Sequence, residues 1–243
     1  MPTAGDPLAV SKQVLDEVKS KLDGEILGIA VTGSARELVG DKLGASIIKN
    51  EITCQALAAA YLVPEAKTVI EIGGQDSKLI ILRDGLVQDF AMNTVCAAGT
   101  GSFLEHQARR LGLSMDEFAA TALQSDSPIK VTGRCTVFAE SDMVHAQQTG
   151  AKPADIVYGL CIALVRNFLA DAGRNRPIES PIIFQGGVAR NAGMVRAFQE
   201  TLGQEIIVPE EPELSGALGA ALLLKRELAH NKNRPVQAKV TGS

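Results

Sequence analysis

Tryptophan is absent from the 243-residue chain, and only 4% of its residues are aromatic. Proteins that bind single-stranded nucleic acids commonly stack the bases on aromatic side chains, so this scarcity argues against that class. An excess of basic charge is also lacking, because 24 lysines and arginines stand against 28 acidic residues, for a net charge of −4. DNA- and RNA-binding proteins usually carry a basic patch, and we therefore predict no nucleic-acid partner.

Long apolar runs are missing as well. No stretch reaches the roughly 18 consecutive apolar residues that a membrane-spanning helix needs. The first residues, MPTAGDPLAV, lack the charged-then-apolar order of a secretion signal. The composition, 46% hydrophobic and 21% charged, is ordinary for a globular protein of one or two domains. We therefore expect a cytoplasmic protein without membrane contact.

The four cysteines, Cys54, Cys96, Cys135 and Cys161, include no CxxC pair. This spacing excludes zinc ribbons and thioredoxin-like redox motifs, and a cytoplasmic chain is not expected to form a disulfide framework. Cys54 and Cys161 lie within apolar helical patterns, so we predict that they are buried packing residues.

Cys96 and Cys135 have a different setting, because Cys96 precedes a small Gly/Thr turn and a predicted helix, and Cys135 stands just before another helical run. The positive potential at a helix N-terminus favours the thiolate, which is the form that binds metals. A 4Fe-4S cluster normally takes four thiolates, and a twofold homodimer would supply them from two identical pairs. We therefore predict Cys96 and Cys135 as cluster ligands, with one cluster per homodimer. Zinc is the weaker alternative, since no histidine is close to either cysteine in sequence.

The apolar pattern predicts an α/β chain whose strands come early and late, with helices between them. Predicted helices cover 7–22, 50–62 with Asn50 as N-cap, much of 100–171, a segment from about 190, and 215–229. Predicted strands cover 26–33, 67–74, 77–85, 86–93, 180–187 and 206–209, and Asp84-Gly85 is a hairpin signal. One mixed domain with a helical insertion between about 95 and 175 fits this order.

Three glycine clusters stand where strands end or helices begin: EIGGQD (71–76), QGGVARN (185–191) and SGALGAA (215–221). Glycine allows sharp turns and close approach of the backbone to a ligand. In the first cluster, backbone N–H groups could hold phosphate while Glu71 or Asp76 holds Mg²⁺ through water. The second could place a ring or a phosphate at a helix N-terminus. Each cluster could instead be a simple packing turn. Taken by itself, the third cluster is better explained by packing than by a ligand.

Together and in order, the motifs CAAGTGSF, GRCTVFAESD, EIGGQD, FQGGVARN and SGALGAALL resemble the BadF/BadG/BcrA/BcrD-type ATPases. The resemblance implies an actin-, hexokinase- and heat-shock-chaperone-like α/β fold, in which two RNase H-like halves close on ATP. It divides the chain into four parts. These are a first half with the second phosphate hairpin (1–94), a cluster-bearing helical region (95–175), the rest of the second half with the adenosine motif (176–229), and a tail (230–243).

The resemblance also implies a function. Ferredoxin or flavodoxin would reduce a 4Fe-4S cluster that bridges a homodimer, and ATP binding and hydrolysis with Mg²⁺ would drive one electron into an iron–sulfur dehydratase or reductase. That partner would act on a CoA thioester. The residues implied as catalytic are Glu51, Glu71 and Asp76. The residues implied to bind the cofactor are Gly73, Gly74, Gln75, Gly99, Thr100, Gly101, Gly186, Gly187, Asn191, Gly216 and Gly219.

One departure from the family pattern bears on activity. Such chains are expected to open with a strand and a DxGS-type first phosphate loop, whereas this sequence enters a predicted helix at residue 7. We therefore expect an incomplete first half, in which the strand at 26–33 lacks neighbours. Two alternatives stay open: a cluster-binding relative without ATPase activity, and a small-molecule kinase of the same superfamily.

Overall fold

The computed structural model describes residues 5–93, 99–131 and 136–232, and the chain divides into two units. The first unit joins the residues up to Cys54 to those from Gly216 onward, and the second runs from Gln55 to Ser215. The boundaries predicted near 95 and 175 both fall inside the second unit. The helices between them share its core, so the four-part division by function stays a prediction.

The first unit is built mainly of helices around a very small sheet. Its elements are α1 (Pro7–Lys21), β1 (Ala30–Val31), α2 (Arg36–Leu43) and β2 (Ile47–Ile48), and it contains the start of α3 (Glu51–Leu62) and most of α9 (Ser215–Lys232). The strand predicted at 26–33 is confirmed only at its two β1 residues, which are half-buried. They pair in parallel with β2, so the expectation that this strand lacks neighbours is wrong for these two residues. A ladder this short leaves the flanking apolar residues outside regular structure.

The start of α3 shows why two predictions about this segment are correct. The Thr53 N–H donates to Asn50 Oδ1 over 2.9 Å, which is the predicted N-cap. Cys54 is fully buried, and this burial raises the pKa of its thiol, as expected for a packing cysteine. A side-chain carbon added at Gly219 would lie 1.9 Å from the Cys54 carbonyl oxygen, so only glycine lets α9 pass so close to α3.

The second unit contains a five-stranded sheet whose strand order is β5-β4-β3-β6-β7. Its strands are β3 (Thr68–Ile72), β4 (Ser77–Arg83), β5 (Leu86–Asn93), β6 (Ile182–Gln185) and β7 (Ile206–Ile207). β3, β4 and β5 pair antiparallel, whereas β3, β6 and β7 are parallel. Asp84 and Gly85 both have positive φ at the tip between β4 and β5, so the predicted hairpin is confirmed.

The predicted helical insertion is also confirmed, since the described residues between β5 and β6 form four helices and the loops that join them. They are α4 (Gly101–Leu111), α5 (Met115–Ala122), α6 (Thr136–Gln148) and α7 (Pro153–Asp171), and α8 (Ala192–Leu202) follows β6. Phe168, Phe184 and Phe198 pack edge to face between α7, β6 and α8. One hydrophobic core therefore joins the sheet to the inserted helices.

Among the described residues, α7 is the one helix long and apolar enough to cross a bilayer. Most of it is buried within the second unit, which identifies it as a core helix. Cys161 lies on this helix, and burial raises the pKa of its thiol to about 12. It is therefore a packing residue, as predicted.

Asp155, in the first turn of α7, generates a prediction about acid stability. Its carboxylate accepts hydrogen bonds from the Ser125 hydroxyl (2.7 Å) and the Ser127 N–H (3.0 Å), and the Ser125 bond is the main reason why the pKa of Asp155 is lowered. A lowered pKa stabilises the folded state above the ordinary carboxyl pKa of about 4, and this stabilisation disappears as the pH falls through the lowered pKa. Ser125→Ala should therefore reduce the free energy of unfolding at neutral pH and have a smaller effect in acid.

Urea unfolding of the wild type and Ser125→Ala at pH 7 and at about pH 3 measures this difference. Asp155→Asn serves as a second variant, which should show the same weakened pH dependence. An effect of Ser125→Ala that is equal at both pH values would show that the hydroxyl acts on packing and not on the charge of Asp155.

Candidate functional site

The turn between β3 and β4 is the first part of the candidate site. The Gly73 N–H donates to the Asp76 carbonyl over 3.0 Å and closes the turn. A side-chain carbon at Gly73 would lie 3.1 Å from Asp76 Oδ1, whereas one at Gly74 would meet no atom within 4 Å. Gly74 and Gln75 are exposed. Gly73 is thus held by packing, and Gly74 faces open space that a ligand can use.

The same turn is bonded to the start of α4. The N–H groups of Gly101 and Ser102 donate to the carbonyls of Gly73 and Gly74, both over 2.8 Å. A side-chain carbon at Gly101 would lie 2.9 Å from the Gly73 oxygen, so the close approach requires glycine. Two of the N–H groups that a helix start leaves free are therefore used by the protein itself.

The other predicted residues near this helix start are structural in character. Thr100 is fully buried at the N-cap position of α4, and its hydroxyl lies 3.0 Å from that of Ser102. A side-chain carbon at Gly99 would lie 2.9 Å from Asn93 Nδ2. Both residues fix the approach to α4, and their predicted role toward a cofactor stays a prediction.

The second glycine cluster follows β6. Gly186 has a φ of +86°, and a side-chain carbon there would lie 2.4 Å from the Ile72 carbonyl oxygen at the end of β3. Gly187, in contrast, would meet nothing within 4 Å. Asn191 caps α8, because its Oδ1 accepts from the Met194 N–H over 3.2 Å. Its Nδ2 is buried without a hydrogen-bond partner in the part of the chain that the structure describes.

These segments enclose one cavity of about 210 Å³ within the second unit. Its lining consists of Gly73, Gly74, Gly101, Glu105, Met115, Asp116, Ala119, Gly187, Val188, Arg190 and Asn191. Five of the residues predicted to bind the cofactor therefore meet at one place, although they come from three separate parts of the sequence. A larger cavity of about 470 Å³ lies at the other end of the sheet, beside the β4–β5 turn, and contains none of them.

The two predicted acids of the turn share a lysine that the sequence analysis missed. Lys78 Nζ lies 2.7 Å from Glu71 Oε2 and 2.8 Å from Asp76 Oδ1, and its side chain is only 1% exposed. Glu71 and Lys78 are cross-strand partners of β3 and β4. A single lysine inside the apolar strand SKLIILR was the available signal, because a buried lysine needs acidic partners.

Gln185 is a second residue that sequence reasoning did not single out. It lies opposite Glu71 in the β3–β6 register, is fully buried, and both of its amide atoms lack a hydrogen-bond partner among the described residues. Lys78, Glu71 and Gln185 thus form a polar row across three neighbouring strands. Buried amides without partners are uncommon and often indicate water or a ligand.

The donor set fits a magnesium ion that is bound mainly by phosphate and water. Asp76 keeps 21% of its side chain exposed, compared with 7% for Glu71. No group of three or more histidine, cysteine, aspartate or glutamate side chains suited to a metal occurs within the described ranges. Mg²⁺ usually takes one or two carboxylates together with substrate phosphates and waters, so Asp76 is the side chain able to contribute.

Three of the predicted residues, Glu51, Gly216 and Gly219, belong to the first unit. Glu51 is the first residue of α3 and is half-buried, and Gly216 lies in the first turn of α9. Gly219 packs on α3, as described above. Their catalytic and cofactor-binding roles stay predictions. Cys96 and Cys135, the predicted cluster ligands, lie outside the described residues, and their role also stays a prediction.

Gly74 provides a direct test of the phosphate site. Gly74→Val places a side chain where the structure has open space, so we expect at least tenfold weaker ATP binding and a free energy of unfolding within about 0.5 kcal/mol of the wild type. Calorimetric titration with ATP and urea unfolding measure the two quantities. Gly24→Val is the matched control, because Gly24 also has no neighbour within 4 Å but lies in the first unit. Unchanged ATP affinity in Gly74→Val would place the phosphate elsewhere.

Lys78 generates a stability prediction. Lys78→Met removes the charge that the buried Glu71 and the half-buried Asp76 share, and breaking a buried ion pair in this way costs about 3–5 kcal/mol of unfolding free energy. Lys67→Met is the control, since the Lys67–Glu179 pair joins exposed side chains at the other end of β3 and should contribute only about 0–1 kcal/mol. Equal losses in the two variants by chemical denaturation would contradict a structural role for the buried pair.

Comparison with known proteins places this geometry in a family. Residues 8–223 match the model of the BadF/BadG/BcrA/BcrD ATPase family. The chain is 42% identical to the activator of lactoyl-CoA dehydratase from Anaerotignum propionicum over 174 residues. This matched segment covers 71% of this chain and 67% of the relative.

Two solved structures are similar over nearly the whole chain. One is the activator of the 2-hydroxyisocaproyl-CoA dehydratase from Clostridium difficile with bound ADPNP (TM-score 0.83, 33% identity, 96% of this chain and 86% of that one). The other is component A of the Acidaminococcus fermentans (R)-2-hydroxyglutaryl-CoA dehydratase (TM-score 0.86, 30% identity, 93% of this chain and 87% of that one). These likenesses confirm the predicted actin-like α/β ATPase fold, and the chain belongs to the BadF/BadG/BcrA/BcrD ATPase family.

Proposed function

We propose that this protein is an ATP-dependent one-electron activator of a cytoplasmic iron–sulfur dehydratase or reductase that acts on a CoA thioester. The observation that carries the proposal is the single cavity at which Gly73, Gly74, Gly101, Gly187 and Asn191 meet, in a chain of this family. Support also comes from the relatives, several of which are named as activators of 2-hydroxyacyl-CoA dehydratases. One such activator was solved with bound ADPNP.

In this proposal, the ATP phosphates lie against the β3–β4 turn. The open face of Gly74 admits the phosphate groups, and Asp76, the more exposed of the two acids, contributes to Mg²⁺ through water. Lys78 holds Glu71 and Asp76 together and prevents their mutual repulsion. Glu51 remains a candidate for a further acidic residue at the nucleotide.

The electron-transfer part of the proposal rests on Cys96 and Cys135. Two copies of the chain would supply four thiolates, which is the ligand number of a 4Fe-4S cluster. Held by these thiolates, such a cluster would supply one-electron chemistry between ferredoxin or flavodoxin and the partner enzyme. The chain's contribution is to hold the thiolates near helix N-termini, where the local potential favours the ionised form.

The link between the two activities would pass through α4. This helix follows Cys96 closely in sequence, and its first N–H groups are bonded to the Gly73 and Gly74 carbonyls. A phosphate that displaces the turn therefore acts on α4 directly. This arrangement provides the differential contact that a ligand needs to shift a conformational equilibrium.

Iron and acid-labile sulfide, measured on anaerobically purified or reconstituted protein, test the proposal together with ATP hydrolysis. We expect about two iron atoms per chain, as for one 4Fe-4S cluster per homodimer, and loss of iron in Cys96→Ala and Cys135→Ala. Cys54→Ala and Cys161→Ala are the matched controls, because both thiols are buried in the protein core. These controls should keep their iron.

The same measurements separate the alternatives. A cluster together with ATPase activity supports the activator, and a cluster without hydrolysis supports a cluster-binding relative that lacks ATPase activity. Hydrolysis or phosphate transfer in a chain that binds no iron would favour the small-molecule kinase. Iron loss in Cys54→Ala or Cys161→Ala, at unchanged stability, would contradict the assignment of the ligands.

A further inference from the structure

Two of the phenylalanines are placed differently from the others. The chain has seven phenylalanines, and Phe90 and Phe138 are 46% and 65% exposed. The other five are at most 1% exposed: Phe103, Phe118, Phe168, Phe184 and Phe198. Single apolar residues are common on protein surfaces, so exposure alone assigns these two no role. Their position along the chain gives them one.

Both exposed phenylalanines lie close in sequence to the cysteines that are proposed as cluster ligands. Phe138 is in the first turn of α6, three residues after Cys135. Phe90 is on β5, six residues before Cys96, and the 42% exposed Met92 on the same strand is four residues before it. Phe90 and Met92 point to the same face of the sheet, because alternate residues of a strand do so. Exposed apolar side chains therefore flank both cysteines.

Covalent geometry limits the distance between these side chains and the cysteines. Consecutive Cα atoms are about 3.8 Å apart, so the Cα of Phe138 lies within about 11 Å of that of Cys135. In the same way, the Cα of Met92 lies within about 15 Å of that of Cys96. A stable interface buries about 800 Å² on each partner, which corresponds to a disc with a radius of about 16 Å. An interface of ordinary size centred on the cysteines therefore includes both residues.

The proposed cluster determines which molecule covers this area. Two thiolates from each of two copies bind one cluster only if the second copy comes within bonding distance of the same metal ions. The surface next to the cysteines is then covered by the second copy before any other protein can contact it. Aromatic residues and methionine are also enriched in the buried parts of protein interfaces, where charged residues are depleted.

We propose that Phe138 and Met92, with Phe90 at the edge, form the apolar contact surface for a second copy of this chain. The surface surrounds the cysteines and contributes to the affinity of the two copies for each other, in addition to the metal bonds. The inference rests on the proposed function, because the shared cluster places the twofold axis at the cysteines.

Sedimentation velocity of the anaerobically reconstituted full-length chain, over a dilution series, measures the dissociation constant of the dimer. Phe138→Ser and Met92→Ser should each raise this constant at least tenfold, because each lost apolar contact occurs twice in a twofold dimer. At protein concentrations above the dissociation constant, both variants should keep about two iron atoms per chain, since neither side chain is a ligand. The urea midpoints of the iron-free variants should equal that of the wild type, because both side chains are exposed.

Leu86→Ser is the matched control. Leu86 is on the same strand as Met92 and is 73% exposed, but it lies at the other end of β5, about 20 Å from Met92 along the strand. We expect this variant to dimerise as the wild type does.

The remaining outcomes separate this surface from the proposed function. A wild-type dimer that holds iron and is not weakened by Phe138→Ser or Met92→Ser would overturn the surface while leaving the proposed function intact. Normal dimerisation of Phe138→Ser, together with loss of electron transfer to a 2-hydroxyacyl-CoA dehydratase, would assign the surface to that enzyme and also overturn the inference. A monomeric wild type without iron would overturn the surface and the proposed function together.

Discussion

The compensation of one buried positive charge shapes the candidate site. Lys78 lies near the start of β4, which has a strand on either side, and is almost completely removed from water, which is unfavourable for an ammonium group without partners. Glu71 on the neighbouring strand and Asp76 in the turn supply the negative charge. This requirement ties the end of β3, the turn and the start of β4 into one arrangement. The position of Gly73 and Gly74, and through them of α4, depends on it.

Much of the second unit could be predicted from the sequence because its signals are local. The runs TVIEI and SKLIILR are mainly apolar, Asp84-Gly85 supplies a hairpin turn, and most residues of α7 are apolar. The glycine motifs were located for the same reason. A residue without a Cβ at a strand end indicates a close approach, whether to a ligand, as at Gly74, or to the backbone, as at Gly186.

Other features could not be predicted because they depend on partners distant in sequence. The two-residue strand β2 exists only as a neighbour of β1, and nothing in its own sequence separates it from a loop. Gln185 belongs to the polar row only because it lies opposite Glu71 on the neighbouring strand, which comes from another part of the chain. Glu105 and Asp116 read as ordinary solvated residues of amphipathic helices. Only the folded structure shows that they line the same cavity as the glycine turns.

The bonds between the β3–β4 turn and α4 have a consequence for how this segment can change. An exposed turn usually tolerates changes of length, because few contacts depend on its exact path. Here consecutive carbonyls of the turn accept from consecutive N–H groups of the helix, so the spacing of the two segments is matched residue by residue. Inserting or deleting one residue between Gly73 and Asp76 would shift this register. We infer that the length of the turn is constrained as strictly as that of a buried strand, although Gly74 and Gln75 face solvent.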